Sequence, residues 1–132
     1  MAAMEYRNSN PIALNGVHDM TIYGYSIKGG SSSCIDLVNC SNIHIAQCEL
    51  YNSEQLGINL NQCANVIIED CHVDNVWGGV QSVNGVNIQV RNNSISKIAP
   101  RGVLVRFQNT IAEAMETHNY CADNDLPYDQ HM

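Results

Sequence analysis

A solenoid of short parallel β-strands, with about four to five coils of 22–23 residues, is the fold class this chain predicts, and three sets of spacings predict it. In the first, Ile12, Ile35, Ile58, Val80 and Val103 fall 23, 23, 22 and 23 residues apart, and each is followed two positions later by Leu14, Leu37, Leu60, Ser82 or Val105. The second is a pair of apolar positions, Met20 and Ile22, repeated as Ile43 and Ile45, Val66 and Ile68, and Ile88 and Val90. An Asx residue precedes each pair: Asp19, Asn42, Asn65 and Asn87. The third is a column of Ile27, Leu50, Val73 and Ile95. Spacing of two is the strand period, so each unit holds two or three short strands with apolar residues inward and variable residues outward. One such unit cannot bury its inner face; stacking unit on unit, with strands about 4.8 Å apart, does so.

In order along the chain, the units are 12–34, 35–57, 58–79 and 80–102, with a partial coil at 103–111. The one-residue shortening falls near Trp77 and Gly78, in a turn, where a deletion leaves strand register intact. The repeat fades after Phe107: Ile111 still matches the Ile88 column, but Glu113 falls where an inward Val belongs. The stretch "AEAMETHNY" has helical propensity and suits a cap over the last coil. The expected division is therefore a β-helix domain at 1–111 and a cap with an acidic tail at 112–132. An open coil end exposes strand edges, which predicts a homodimer or other homo-oligomer through the C-terminal coil.

The segment N-I/V-x-I/V-x-x-C/N-x-I/L/V, as in "CSNIHIAQCEL" and "CANVIIEDCHV", followed by G-I/V-x-L/V or a close variant, resembles the right-handed parallel β-helix proteins. That pectate-lyase-like group includes carbohydrate-binding and sugar-hydrolase repeat domains. The resemblance covers roughly residues 11–111 and implies an all-β, single-stranded right-handed parallel β-helix. It also fits a truncated member of a longer family. The fold alone carries many activities. The aspartate-rich and Gly-His-Gly motifs of the polygalacturonase branch are absent, as is the calcium-aspartate plus arginine arrangement of the pectate lyases.

Composition narrows the function. A formal charge of -7, from 13 acidic and 6 basic residues with no basic cluster, argues against nucleic acid as a partner. No run of about 18 apolar residues is present, so no membrane span is expected. As written, the chain has no export signal, which places it in the cytoplasm; an extracellular location follows if it is an excerpt of a longer precursor. The six cysteines, Cys34, Cys40, Cys48, Cys63, Cys71 and Cys121, are read as reduced. Cys40 and Cys63 share one repeat column and Cys48 and Cys71 another, without the C-x2-C knuckles of a zinc site. A buried thiol ladder is expected, although Cys40 and Cys63 on adjacent coils are close enough for a bridge. The tail residues His118, Cys121, Asp123, Asp125, Asp129 and His131 are read as a solvated acidic tail rather than a cation site. No metal and no cofactor is expected.

Candidate ligand contacts lie on outward positions. The preferred patch is Tyr51, Glu54, Asp74, Trp77 and Arg101, with Lys97 on the same face, because an aromatic ring beside carboxylates can stack on a sugar and hydrogen-bond its hydroxyls. The second choice is the stripe Asp36, Asn59 and Gln81 with Asn61, in columns that also place Leu104 and Arg106 outward. Glu69 and Arg91 are expected to pair at the surface. Glu54 and Asp74 are the candidates for the two carboxylates a glycosidase needs, about 5 to 9.5 Å apart. The expected function is a non-catalytic β-helix module that binds a polysaccharide or oligosaccharide or serves as an oligomeric scaffold. The alternative is a small polysaccharide lyase or glycoside hydrolase, or a fragment of one.

Overall fold

A computed structural model of the chain describes residues 7–108 and 120–122. These residues form strands β1 (Arg7–Ser9), β2 (Ile12–Asn15), β3 (His18–Tyr23), β4 (Tyr25–Gly30), β5 (Ile35–Val38), β6 (Ser41–Ala46) and β7 (Glu49–Asn61). They continue with β8 (Ala64–Glu69), β9 (His72–Val83), β10 (Val86–Arg91), β11 (Ser94–Ile98), β12 (Val105–Gln108) and β13 (Tyr120–Ala122). The architecture is an all-β solenoid of about 4 turns. One sheet runs β1-β4-β7-β5-β2, with β9 on β7 and β11 and β12 on β9; the second runs β13-β10-β8-β6-β3. Every pairing is parallel, and the apolar columns are the rungs: Ile58 sits between Ile35 and Val80, Val66 between Ile43 and Ile88, and Leu50 between Ile27 and Val73.

What bends a β-chain into a coil is visible in the backbone. Left-handed residues recur at fixed places: Gly16, Asn39, Gln62 and Asn84; Asp19, Asn42, Asn65 and Asn87; Gly24, Gln47, Asp70 and Asn92; and Asn52, Asn75 and Lys97. Most are Asn or Asp because the short polar side chain tolerates this region by bonding locally, where other L-residues crowd the next carbonyl. The Asx column seen in the sequence is thus first a bend and second a ladder. Asn42 Nδ2 donates to Asp19 Oδ1 at 2.5 Å and Asn87 Nδ2 to Asn65 Oδ1 at 2.8 Å. A second ladder, in which Asn75 Nδ2 donates to Asn52 Oδ1 at 2.8 Å, stands at a corner the repeat pattern does not mark.

Inside, the columns are sealed. Ile35, Leu37, Ile45, Leu50, Ile58, Leu60 and Ile68 form a continuous core. The five cysteines with described side chains are free and buried. Their thiols repeat one pattern, donating to the carbonyl two residues back and to one on the coil before: Cys40 to Val38 and Leu14, Cys63 to Asn61 and Leu37, Cys48 to Ala46 and Ile22, and Cys71 to Glu69 and Ile45. Burial pushes the Cys34 thiol up to about 11 and raises Cys63 as well. A hydrogen bond between Cys48 and Cys71 holds the former down and, together with burial, drives the latter up. On the next coil Asn93 takes the place of a thiol and is buried: its Oδ1 accepts from Cys71 N at 2.9 Å and its Nδ2 donates to Ile68 O at 3.2 Å.

Three expectations from the sequence are corrected. The shortening at Trp77 lies within a continuous strand rather than a turn: Ser53 pairs with Val76 and Leu56 with Gly78, so Glu54 and Gln55 bulge opposite Trp77. On the last coil Val105, not Val103, pairs with Val80, and Phe107 lies over Ser82. Leu104 therefore leaves the outward column of Gln81, and Arg106 enters it. Between Ile98, which pairs with Val76, and Val105 the chain carries three more residues than the strand it faces, and the turn around Pro100 takes them up. Tyr120–Ala122, at the end of the stretch expected to be helical and in the tail, is a strand in register with Gln89–Arg91. Residues 112–119 of the expected cap, Ile111, the C-terminal dimer contact, and His118, Asp123, Asp125, Asp129 and His131 lie outside the described residues. Among the described residues no helix is long and apolar enough to cross a membrane.

Candidate functional site

The corner shared by β7, β9 and β11 builds a groove. Before the corner, Lys28, Tyr51, Asp74 and Ser96 form an outward ladder, in which Ser96 Oγ donates to Asp74 Oδ1 at 2.9 Å. The bend follows, made by left-handed Asn52, Asn75 and Lys97. Past it comes the bulge. Ser53 Oγ lies 2.7 Å from Ser32 O and accepts from Gln55 N at 3.0 Å, while Leu56 N donates to Ser33 Oγ at 3.2 Å. The serines of the "SSS" run and Ser53 thereby hold Glu54 and Gln55 out from the coil.

On the far side the 99–102 turn closes over Trp77, with Gly102 N donating to Ala99 O at 2.9 Å. A Cβ on Gly102 would sit 1.5 Å from the Trp77 carbonyl oxygen, so only glycine fits this approach. Between bulge and turn an open groove of about 300 Å³ is lined by Ser53, Glu54, Asn75, Val76, Trp77, Lys97 and Ala99. Trp77 is half-buried, and Glu54, Asn75 and Lys97 are exposed around it.

The groove gathers part of the preferred patch. Glu54 and Trp77 line it together with Lys97, whereas Tyr51 and Asp74 stand on the ladder before the bend and Arg101 is exposed in the 99–102 turn. The second-choice residues share one outward rung column, Asp36 beside Asn59 beside Gln81. Asn59 Nδ2 donates to Asp36 Oδ1 at 3.3 Å, and Arg106 donates to Gln81 Oε1. Much of that stripe's hydrogen-bonding capacity is thus spent within itself. Ser53, Asn75, Val76 and Ala99 were not singled out from the sequence; aligning Asn52 with Asn75 and Lys97 would have placed them, once the bend at that column was known.

The groove's chemistry suits binding. An aromatic face, a carboxylate, an amide and an ammonium converge there. Among the described residues neither Lys97 nor Arg101 has an ion-pair partner, whereas Arg91 is paired with Glu69. The two candidate catalytic carboxylates do not share the cavity: Glu54 lines it, and Asp74 is held by Ser96 outside the lining. Among the described residues no group of three or more His, Cys, Asp or Glu side chains is arranged to hold a metal ion.

No curated protein and no solved structure matches the chain. The family described as "Right handed beta helix region" matches residues 3–125, a span that takes in all the described strands. With its parallel rungs, repeated bends and sealed apolar columns, the chain belongs to the right-handed β-helix family.

Proposed function

We propose that this protein is a non-catalytic saccharide-binding β-helix module whose contact site is the Trp77 groove. The observation that carries the reading is the convergence of a half-buried indole with Glu54, Asn75 and Lys97 around one open groove. An indole face stacks on the C–H face of a sugar ring, while amide, carboxylate and ammonium groups at its edge bond the hydroxyls that fix orientation. Binding is favoured over bond cleavage because Asp74 does not face the groove that Glu54 lines.

The experiment is a glycan-array screen followed by titration of the best glycan into wild type and Trp77→Ala. Trp77 is the only tryptophan in the chain, so a change in intrinsic emission on wild type reports this site alone. The expected result is saturable binding weakened about tenfold or more by the substitution. Equal affinity of the two proteins, or no binding glycan, removes the reading.

A scaffold role is the second reading and rests on a separate observation. β2 and β3 are the outer strands of their sheets, and Met20 is 38% exposed where Ile43, one rung in, is 2%. A dimer in light scattering that Met20→Lys dissolves supports it; a monomer at every concentration removes it.

A further inference from the structure

The outward face of the second sheet carries a bonded cluster that the groove does not use. His44 on β6, Glu69 on β8 and Arg91 on β10 come from three successive coils. His44 Nε2 lies 2.5 Å from Glu69 Oε2, and Arg91 Nε donates to Glu69 Oε1 at 3.3 Å. His44 reaches Glu69 diagonally, because the rung partner of Glu69 on β6 is Ala46, whose methyl group makes no claim on the carboxylate. The chain of bonds continues: Arg91 Nη1 donates to Gln89 Oε1 at 2.8 Å, Gln89 Nε2 to Asn87 Oδ1 at 3.5 Å, and Asn87 Nδ2 to Asn65 Oδ1 at 2.8 Å. Both carboxylate oxygens of Glu69 are therefore engaged, one by each neighbouring coil. Its side chain is 21% exposed, less than His44 at 43% or Arg91 at 36%.

We propose that His44, Glu69 and Arg91 form an acid-releasable strap across three coils, fastening the outer face of the second sheet near neutral pH and letting it loosen in acid. The strands packed against β8 are β6 and β10. From β6 the titratable group facing Glu69 is His44; from β10 it is Arg91. The other outward neighbours on these rungs, Ala46, Ile67 and Gln89, carry no charge, and Asp70 stands at the bend that follows.

The His44 hydrogen bond, and after it the Arg91 contacts, hold the Glu69 carboxyl below its ordinary value of 4.5. Its folded value is thus lower than its unfolded one. The strap's contribution is full above the unfolded value and is lost as pH falls through the folded one. Below that point the carboxyl is neutral, and its charge-assisted bonds to the neighbouring coils are lost.

The test uses the full chain and follows the Glu69 carboxyl by NMR through an acid titration, in wild type, His44→Gln and Arg91→Gln. The strap requires Glu69 to titrate below the ordinary glutamate range in wild type and to move upward in both variants, further in His44→Gln. Amide exchange at 43–46 and 66–69, corrected for intrinsic rate, is expected to accelerate about tenfold across the Glu69 transition in wild type. In Glu69→Gln it is fast at both ends. An ordinary Glu69 titration in wild type overturns the proposal, as does a Glu69→Gln protein that keeps the wild-type acid response. If Glu69→Gln fails to fold, His44→Gln decides alone: an unmoved Glu69 titration in that variant overturns the strap.

Discussion

Lys97 holds a φ of 54° in a column whose other left-handed members are Asn52 and Asn75. A long unbranched side chain gains nothing from that conformation, whereas Asn offsets part of its cost by local bonding. Lys97→Asn is therefore expected to raise stability by about 0.5–1 kcal/mol in urea denaturation while weakening glycan binding severalfold. A variant that gains stability and binds as well as wild type would separate Lys97 from the site. The sequence could not reveal this, because left-handed backbone is invisible to a hydropathy pattern until the bend columns are known.

At the scale of elements, period two made the strands legible and also hid one error. Moving a strand by one residue exchanges its buried and exposed faces, but moving it by two keeps them. Val103, Val105 and Phe107 are all apolar, so the pattern fitted a last coil paired at Val103 as well as the true one paired at Val105. The cost of the false register was a mismatch at Ser82, which breaks the column of Leu14, Leu37 and Leu60; the true register covers it with the bulkier Phe107. The shortening at Trp77 was readable from spacing, but its form as a bulge was not, since that depends on Ser32, Ser33 and Ser53 bonding across the coil.

The turn that absorbs the three-residue difference is what closes the groove, and Gly102 is its tightest point. Gly102→Ala is expected to cost about 2 kcal/mol, because a methyl cannot enter that space without moving the turn off the Trp77 backbone. Red-shifted Trp77 emission and a lower urea midpoint would follow. An unchanged spectrum would mean that the turn is not seated on Trp77.

For the whole molecule, each coil contacts only its neighbours, so stability is spread along the stack and the surface is free to vary. That is why the most regular residues, the Asx bends, the thiols and the Ile and Val columns, describe the fold, and why the proposed contact site is placed where the repeat is broken. The groove lies where coil length changes, between a bulge of two residues against one and an enlarged turn. The strap likewise depends on departures from uniformity, His44 and Glu69 set diagonally in otherwise interchangeable outward positions. The central claim is that this irregular corner, and not the regular polar stripe of Asp36, Asn59 and Gln81, meets the ligand. Amide chemical-shift mapping with a bound glycan tests it most directly. The account predicts perturbations clustered at 53–55, 75–77 and 97–99; shifts centred instead on Asp36, Asn59, Gln81 and Arg106 would contradict it.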